Sequence, residues 1–364
     1  MCRFWKDRQK ITDINDSDIN QAGRDNNIVV INQGIQYSDL RQIVTDIVRS
    51  EMFQLSSQAR ETIKELAIQY EKKLSEKLVD IHEDDSIKQF GRPDIQFVLR
   101  DSLKQYVKDA NDENLEDQID MLIDRLHVDN ENVMKSIIEE AIITLPKLSK
   151  SAVALLAAMR LRDLTMEGDS LAVFAHFSGT QKIYKDIQGI KPIEVAYLRQ
   201  LNCCNSFSDL KQYNLLETII FDQYDLLFRH YGKIEDFDNI VKENTFLSIE
   251  NYKNKYALFK YKDRELMSCF PNTTILQTEL EKINETDKIQ PLLDFFSKCP
   301  LFTSEEIRNL MIDIAPDFKY AFETLNRKDV QSLKITPLGA YIGQKFIIKQ
   351  LGVSCPEIYE SFEL

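Results

Sequence analysis

Apolar residues recur in steps of four, four and three along one long stretch: Val44, Val48, Met52, Leu55, Ala59, Ile63, Leu66, Tyr70, Leu74, Lys77 and Ile81. Only Lys77 breaks the run. An eleven-residue repeat has about 3.67 residues per turn, close to the period of a straight α-helix. Tyr37–Ile81 holds no Pro and no Gly. The pattern therefore predicts one helix roughly 66 Å long at ~1.5 Å per residue. Ser56-Ser57 is the one place where it would break in two. Leu40, Ile43 and Ile47 widen the stripe near its start. Ser38 would cap it, with Asp39 in the first turn. A ridge of that length outruns the width of most globular domains, so it needs a cover along its length: other copies of the chain are the leading expectation, and packing within its own domain is the alternative. His82-Glu83-Asp84-Asp85 follows. Consecutive residues point different ways on a helix, so this reads as a solvated helix end and not as a metal cluster.

Upstream, residues 1–36 are polar, with Asp, Asn, Gln and Ser dominating from Thr12 to Gln36. Two β-prone bits, Asp18–Gln21 and Asn27–Asn32, flank a turn centred on Gly23, and Gly34 closes the unit. A strip this small makes no core of its own. It reads either as a disordered tail or as a strand tag that stacks with other subunits, as Asn and Gln ladders do. The second reading gains from the tag running straight into a striped helix. The assembly interface is accordingly expected at Ile28, Val30, Val44, Val48, Met52, Leu55, Ile63, Leu66, Tyr70 and Leu74.

Beyond Pro93 the apolar spacing predicts four successive amphipathic helices: Asp94–Val107, Asn114–Leu126, Glu131–Leu145 and Ala152–Leu164. Pro146 stops the third and Ser149 caps the fourth. Leu171–Phe177, Pro192–Leu201, Phe207–Tyr213 and Leu215–His230 read as helices, and Thr245–Ile249 and Lys255–Lys260 as strands. Ile289–Ser297 and Ser304–Ile314 are helical, the second capped by Ser304. Val330–Ile335 reads as a strand running into a helix that Thr336-Pro337 opens and Gly352 closes. The fold class is mainly α. A β-prone tag (1–36) and a long helix (37–88) precede a helical bundle or array (89–165). A mixed, mostly helical region (166–285) and a small α+β, winged-helix-like unit (286–364) follow.

Composition supports the helical reading: of 364 residues only 10 are Gly and 9 Pro, while 29% are charged. A net charge of -13 argues against a duplex-DNA binder and against docking on an anionic membrane. No apolar run approaches the ~18 residues of a bilayer span. Met1–Lys6 lacks the apolar core of an export signal. Cys2, Cys203, Cys204, Cys269, Cys299 and Cys355 form no Cys-x-x-Cys pair and read as thiols of a reducing cytoplasm.

Several blocks resemble an uncharacterised family of bacterial proteins. Phe90-Gly91-Arg92-Pro93-Asp94-Ile95-Gln96-Phe97-Val98-Leu99 is similar to its Phe-x-x-Pro-Asp-x-Gln-x-x-Leu block. Ala141–Ser149 is similar to Ala-Ile-x-x-x-Pro-Lys-Leu-Thr, with Ser149 in place of Thr. Asn202-Cys203-Cys204, Leu333–Gly339 and the leading Gln-x-Gly-Arg-Asp tag also fit. The resemblance implies a bacterial cytoplasmic protein and no particular reaction. Similar Gly-tags on defence proteins give it a possible antiviral setting by analogy.

The sequence carries no phosphate loop, no His-Glu-x-x-His helix and no Gly-x-Ser-x-Gly elbow. His82, His127, His176 and His230 lack ligand spacing. No catalytic, cofactor-binding or metal residue is assigned. Asp94 is the single candidate for a nuclease, and it reads better as a helix-start residue. His127 and Asp129 read as a loop beyond a helix end. The leading expectation is a non-enzymatic homo-oligomer that senses or binds a protein partner, with no cofactor. One rival is an enzyme, a nuclease or hydrolase with a dispersed site. The other is a nucleic-acid binder acting through the C-terminal unit.

Overall fold

Most stretches of helical spacing are helical among the described residues. A computed structural model describes residues 37–51, 56–80, 84–110, 112–128, 132–166, 168–206, 214–231, 258–260, 266–282 and 289–352. The class is mainly α, with two short two-stranded sheets among the described residues. No described helix is long and apolar enough to cross a membrane.

The ridge forms two helices, α1 (Tyr37–Glu51) and α2 (Ser57–Asp80), which pack against each other. Both also pack on α4 (Pro93–Asp109), which a short α3 (Asp84–Gln89) precedes. Leu40, Val44 and Val48 of α1 and Ile63, Ala67, Tyr70, Leu74 and Leu78 of α2 are buried in the same core as Ile95, Leu99, Leu103 and Tyr106 of α4. Inside that core Tyr70 Oη donates to Ser102 Oγ at 2.8 Å. Of the expected interface residues, Val44, Val48, Ile63, Tyr70 and Leu74 are thus covered by their own chain, and Leu66 is half-buried against the same core. Ile28, Val30, Met52 and Leu55 lie outside the described residues, as does the tag. An eleven-residue repeat fixes which residues share a face, not what covers that face. With the chain broken near Ser56, the two halves of the stripe and α4 cover one another.

Two further helices, α5 (Asp112–Leu126) and α6 (Val133–Thr144), pack on α4 and on each other. Asn132 caps α6 by accepting from Met134 N–H. A 3-10 turn at Leu145–Lys147 absorbs Pro146. Ser149 then accepts from Ala152 N–H and caps α7 (Lys150–Arg162) as expected. Every residue of α7 from Ala152 to Leu161 is buried, so it lies at the centre of the helices that pack on it.

α8 (Ser170–Asp186) is longer than the expected Leu171–Phe177, and α9 (Pro192–Gln200) sits where expected. The helix expected to reach His230 stops early, as α10 (Leu216–Gln223). α11 (Thr273–Lys282) and α12 (Ile289–Lys298) lead to α13 (Ser304–Ile314). Thr303, not Ser304, caps α13, in a box with Glu306. α14 (Phe318–Leu325) and the four-residue α15 (Lys328–Gln331) follow, then α16 (Pro337–Leu351), capped by Thr336 and closed by Gly352 at φ 65°.

The strands also depart from expectation. β1 (Cys204–Ser206) pairs antiparallel with β4 (Leu333–Ile335), in register Cys204↔Ile335. β2 (Leu258–Lys260) pairs with β3 (Leu266–Ser268). Thr245–Ile249 and Phe207–Tyr213 lie outside the described residues. Val330 and Gln331 belong to α15, not to the strand. The C-terminal strand therefore takes its partner from far earlier in the chain and not from a local wing. α16 packs on α7, α6 and α8, so it belongs to the core the bundle shares. Two glycines let it approach closely. A Cβ on Gly343 would lie 2.8 Å from the Leu156 carbonyl, and one on Gly339 only 2.1 Å from the Cys203 oxygen.

Candidate functional site

Several surface features among the described residues combine shape with charge, and three of them lie between helices. The first is a cleft of about 240 Å³ between α4 and α6, lined by Asp94, Phe97, Asp101, Lys135, Glu139 and Ile143. Behind it sits Arg125 of α5, whose side chain is 0% exposed. Its guanidinium donates to Asp94 at 2.8 Å, to Glu139 at 2.7 Å and to the Val128 carbonyl at 3.2 Å. Arg92 donates to the same Asp94 carboxylate at 2.8 and 3.2 Å. Burial alone would raise the Asp94 carboxyl, but hydrogen bonding and charge from Arg92 and Arg125 hold it below its ordinary value. A carboxylate held this way between two guanidiniums is a poor base or metal ligand. This is the structural role of the single nuclease candidate.

The second feature is a cleft of about 440 Å³ where α2, α5 and α16 meet. Glu116, Asp117, Asp120 and Asp124 of α5 face lysines from the other two helices. Lys77 reaches Asp120 at 2.9 Å and Glu116 at 3.4 Å. Lys349 reaches Asp117 at 2.9 Å, and Lys345 pairs with Asp124. Asp124 also accepts from Tyr341 Oη at 2.5 Å. Burial would lower the Lys77 ammonium, yet Asp120 and Glu116 raise it. Burial raises the Asp117 carboxyl, and Lys349 offsets part of that. Among the described residues no three His, Cys, Asp or Glu side chains are placed to hold a metal ion.

The third feature is a groove of about 230 Å³ between α1 and α2. Its floor is apolar, with Val44, Val48 and Ala67 buried beneath an exposed Ile68. Arg41 and Arg49 stand on one lip, Lys64 and Glu71 on the other.

Elsewhere several buried polar groups are fasteners. Glu217, 1% exposed, pairs with Arg308 and accepts from Asn326 Nδ2 at 2.8 Å. Asn326 in turn accepts from Leu216 N–H at 2.7 Å. Cys203 and Cys204 are buried, and burial pushes both thiols up to about 12, so neither offers a reactive thiolate. His127 is exposed beyond the end of α5, and Asp129 lies outside the described residues. His230 lies 3.3 Å from Glu306 and packs on Phe302.

Arg125 and Glu217 escaped the sequence reading, although Arg125 left a signal. Gln118, Leu122 and Arg125 share one buried stripe of α5, and a polar residue on such a stripe marks a buried network. The sequence blocks do converge in space. Asp94, Phe97 and Val98 of one meet Ile142 and Ile143 of another at the first cleft. Asn202–Cys204 meets Leu333–Gly339 through the β1–β4 pair and the hydrogen bonds from Thr336 Oγ1 to the Asn202 and Cys203 carbonyls.

No curated protein and no solved structure matches the chain. A family model does match it, over residues 34–356, a stretch that begins beyond most of the polar tag, and the chain is therefore a member of that uncharacterised family.

Proposed function

We propose that this chain works by holding other proteins, its own copies included, and not by turning over a substrate. The observation that carries the reading is how its charges are used. In the two clefts among the helices most of the acids named above face a base on another helix, and these pairs tie one helix to the next. Asp94 and Glu139 fasten α4 and α6 to Arg125 of α5. Lys77, Lys345 and Lys349 fasten α2 and α16 to α5. Among the described residues, surface open to contact includes the groove between α1 and α2, and the apolar Ile68 and Val79 on the outer face of α2, 57% and 51% exposed. Those two lie eleven residues apart, three turns along one face.

Self-assembly belongs to this reading through residues 1–36 and the outer face of α2, in place of the buried ridge. A bacterial cytoplasmic setting, and a part in antiviral defence, are proposed on the resemblance of the sequence blocks and the Gln-x-Gly-Arg-Asp tag. Light scattering on the full chain over a wide concentration range, paired with an incubation with nucleic acid and a divalent metal, tests it. The reading expects masses above the 42.5 kDa of one chain and intact nucleic acid. A single-chain mass at every concentration, with metal-dependent loss of the nucleic acid, sinks it. The truncation that sequence alone would suggest, starting at Phe90, is a poor test. It strips Leu40, Tyr70 and Leu74 from the core and would expose Ile95 and Leu99.

A further inference from the structure

We propose that the groove between α1 and α2 receives an acidic amphipathic helix of a partner protein, an inference that rests on the interaction reading above. Its charge is the first argument. The chain as a whole carries -13, yet the lips of this groove bring together Arg41, Arg49 and Lys64 against Glu71 alone. Arg41 has no carboxylate partner among the described residues. Arg49 and Lys64 meet only Asp46, at 3.7 Å, and Glu61, at 3.1 Å, one turn away on their own helices. Both pairs are largely solvated, and such pairs hold a side chain weakly. The three cations are therefore available to an incoming acid.

The shape is the second argument. Val44, Val48 and Ala67 close the floor with little exposed area of their own, so Ile68, 57% exposed, supplies most of the apolar contact. An apolar floor offers nothing to a phosphate backbone, but it suits the apolar face of a helix laid in a groove. Arg41 and Arg49 are eight residues apart, about 12 Å along α1 at ~1.5 Å per residue. A docked helix meets both with acids seven or eight positions apart and one or two apolar residues between them. Charge complementarity of this kind sets partner choice and the rate of encounter more than raw affinity.

The test uses the full chain and two labelled helical peptides. One carries two glutamates eight positions apart with leucines between them, and its twin carries lysines instead. Fluorescence anisotropy should show the glutamate peptide binding, more weakly as salt rises, and on the order of tenfold more weakly to Arg41→Glu. The lysine twin should bind the Arg41→Glu, Arg49→Glu double variant and not the native chain. Both arginines are exposed, so an unchanged urea midpoint confirms that the variants fold. Equal binding of the two peptides to the native chain, indifference to Arg41→Glu, or no binding of either peptide overturns the inference. If the chain assembles in light scattering while the glutamate peptide fails to bind, only this occupant is wrong and the interaction reading stands. If Arg41→Glu dissolves that assembly and the peptide fails, the groove belongs to a second copy.

Discussion

Replacing Arg125 by Met removes the most deeply buried cation among the described residues while nearly conserving its apolar stem. Asp94 keeps Arg92, but Glu139 loses its 2.7 Å partner, and the Val128 carbonyl loses a 3.2 Å donor. Breaking a buried ion pair by removing one partner costs about 3–5 kcal/mol. Asp94 and Glu139 remain 27% and 30% exposed, so water rescues part of their solvation. The expectation is therefore near the lower end, roughly 3 kcal/mol. With a urea m value of about 3 kcal/mol/M, that moves the midpoint down on the order of 1 M. The sign with pH follows from Asp94. Its folded pKa is lowered, so its contribution is present above the unfolded carboxylate value and is lost as pH falls through the folded value. The gap between native chain and variant should narrow as the carboxylates protonate. Urea denaturation followed by circular dichroism at neutral and acid pH reads both quantities. A loss below about 1 kcal/mol at neutral pH, the range of an exposed pair, refutes the idea that Arg125 fastens α4, α5 and α6.

Gly343→Ala would press a methyl into the Leu156 carbonyl, an overpacking worth about 1–3 kcal/mol in the urea midpoint; a neutral result means α7 and α16 are not in close contact. Glu194 joins Ser149 (2.5 Å) and Ser151 (3.0 Å) at the start of α7 to the Lys191 N–H (2.9 Å) at the start of α9. Burial would raise its carboxyl, but the hydrogen bonds from Ser149, Lys191 and Ser151 outweigh that and lower it. Glu194→Gln should lose stability above the ordinary carboxylate pKa and match the native chain in acid; the reverse order contradicts the assignment. Cys203 and Cys204 should resist maleimide in the native chain and react once urea unfolds it, as mass spectrometry would show; fast native labelling denies their burial.

Periodicity made most of the helices legible, because burying one face of a helix leaves the same mark wherever it happens. Pro146, Ser149, Thr336 and Gly352 marked ends correctly, since each acts on its neighbours along the chain. What failed was long-range. The stripe from Val44 to Leu74 named the right buried residues but could not say that α4 covers them. The partner of Leu333–Ile335 is Cys204–Ser206, and no local pattern carries that pairing. The apolar residues after Gln223 suggested more helix, yet the chain breaks there and Asp225 turns to hold Thr273 at 3.0 Å. Of the candidate surfaces, the groove had a trace in the spacing of Arg41, Thr45 and Arg49. Its opposite lip, Lys64 and Ile68, appears only once α2 is seen against α1.

The chain covers its own ridge. Hydrogen exchange of the full chain, followed at the amides of α2 from Tyr70 to Leu78 in dilute and in concentrated solution, tests that directly. Strong protection that does not change with concentration is the predicted result; protection that appears only as the protein is concentrated would show that other copies cover the ridge instead.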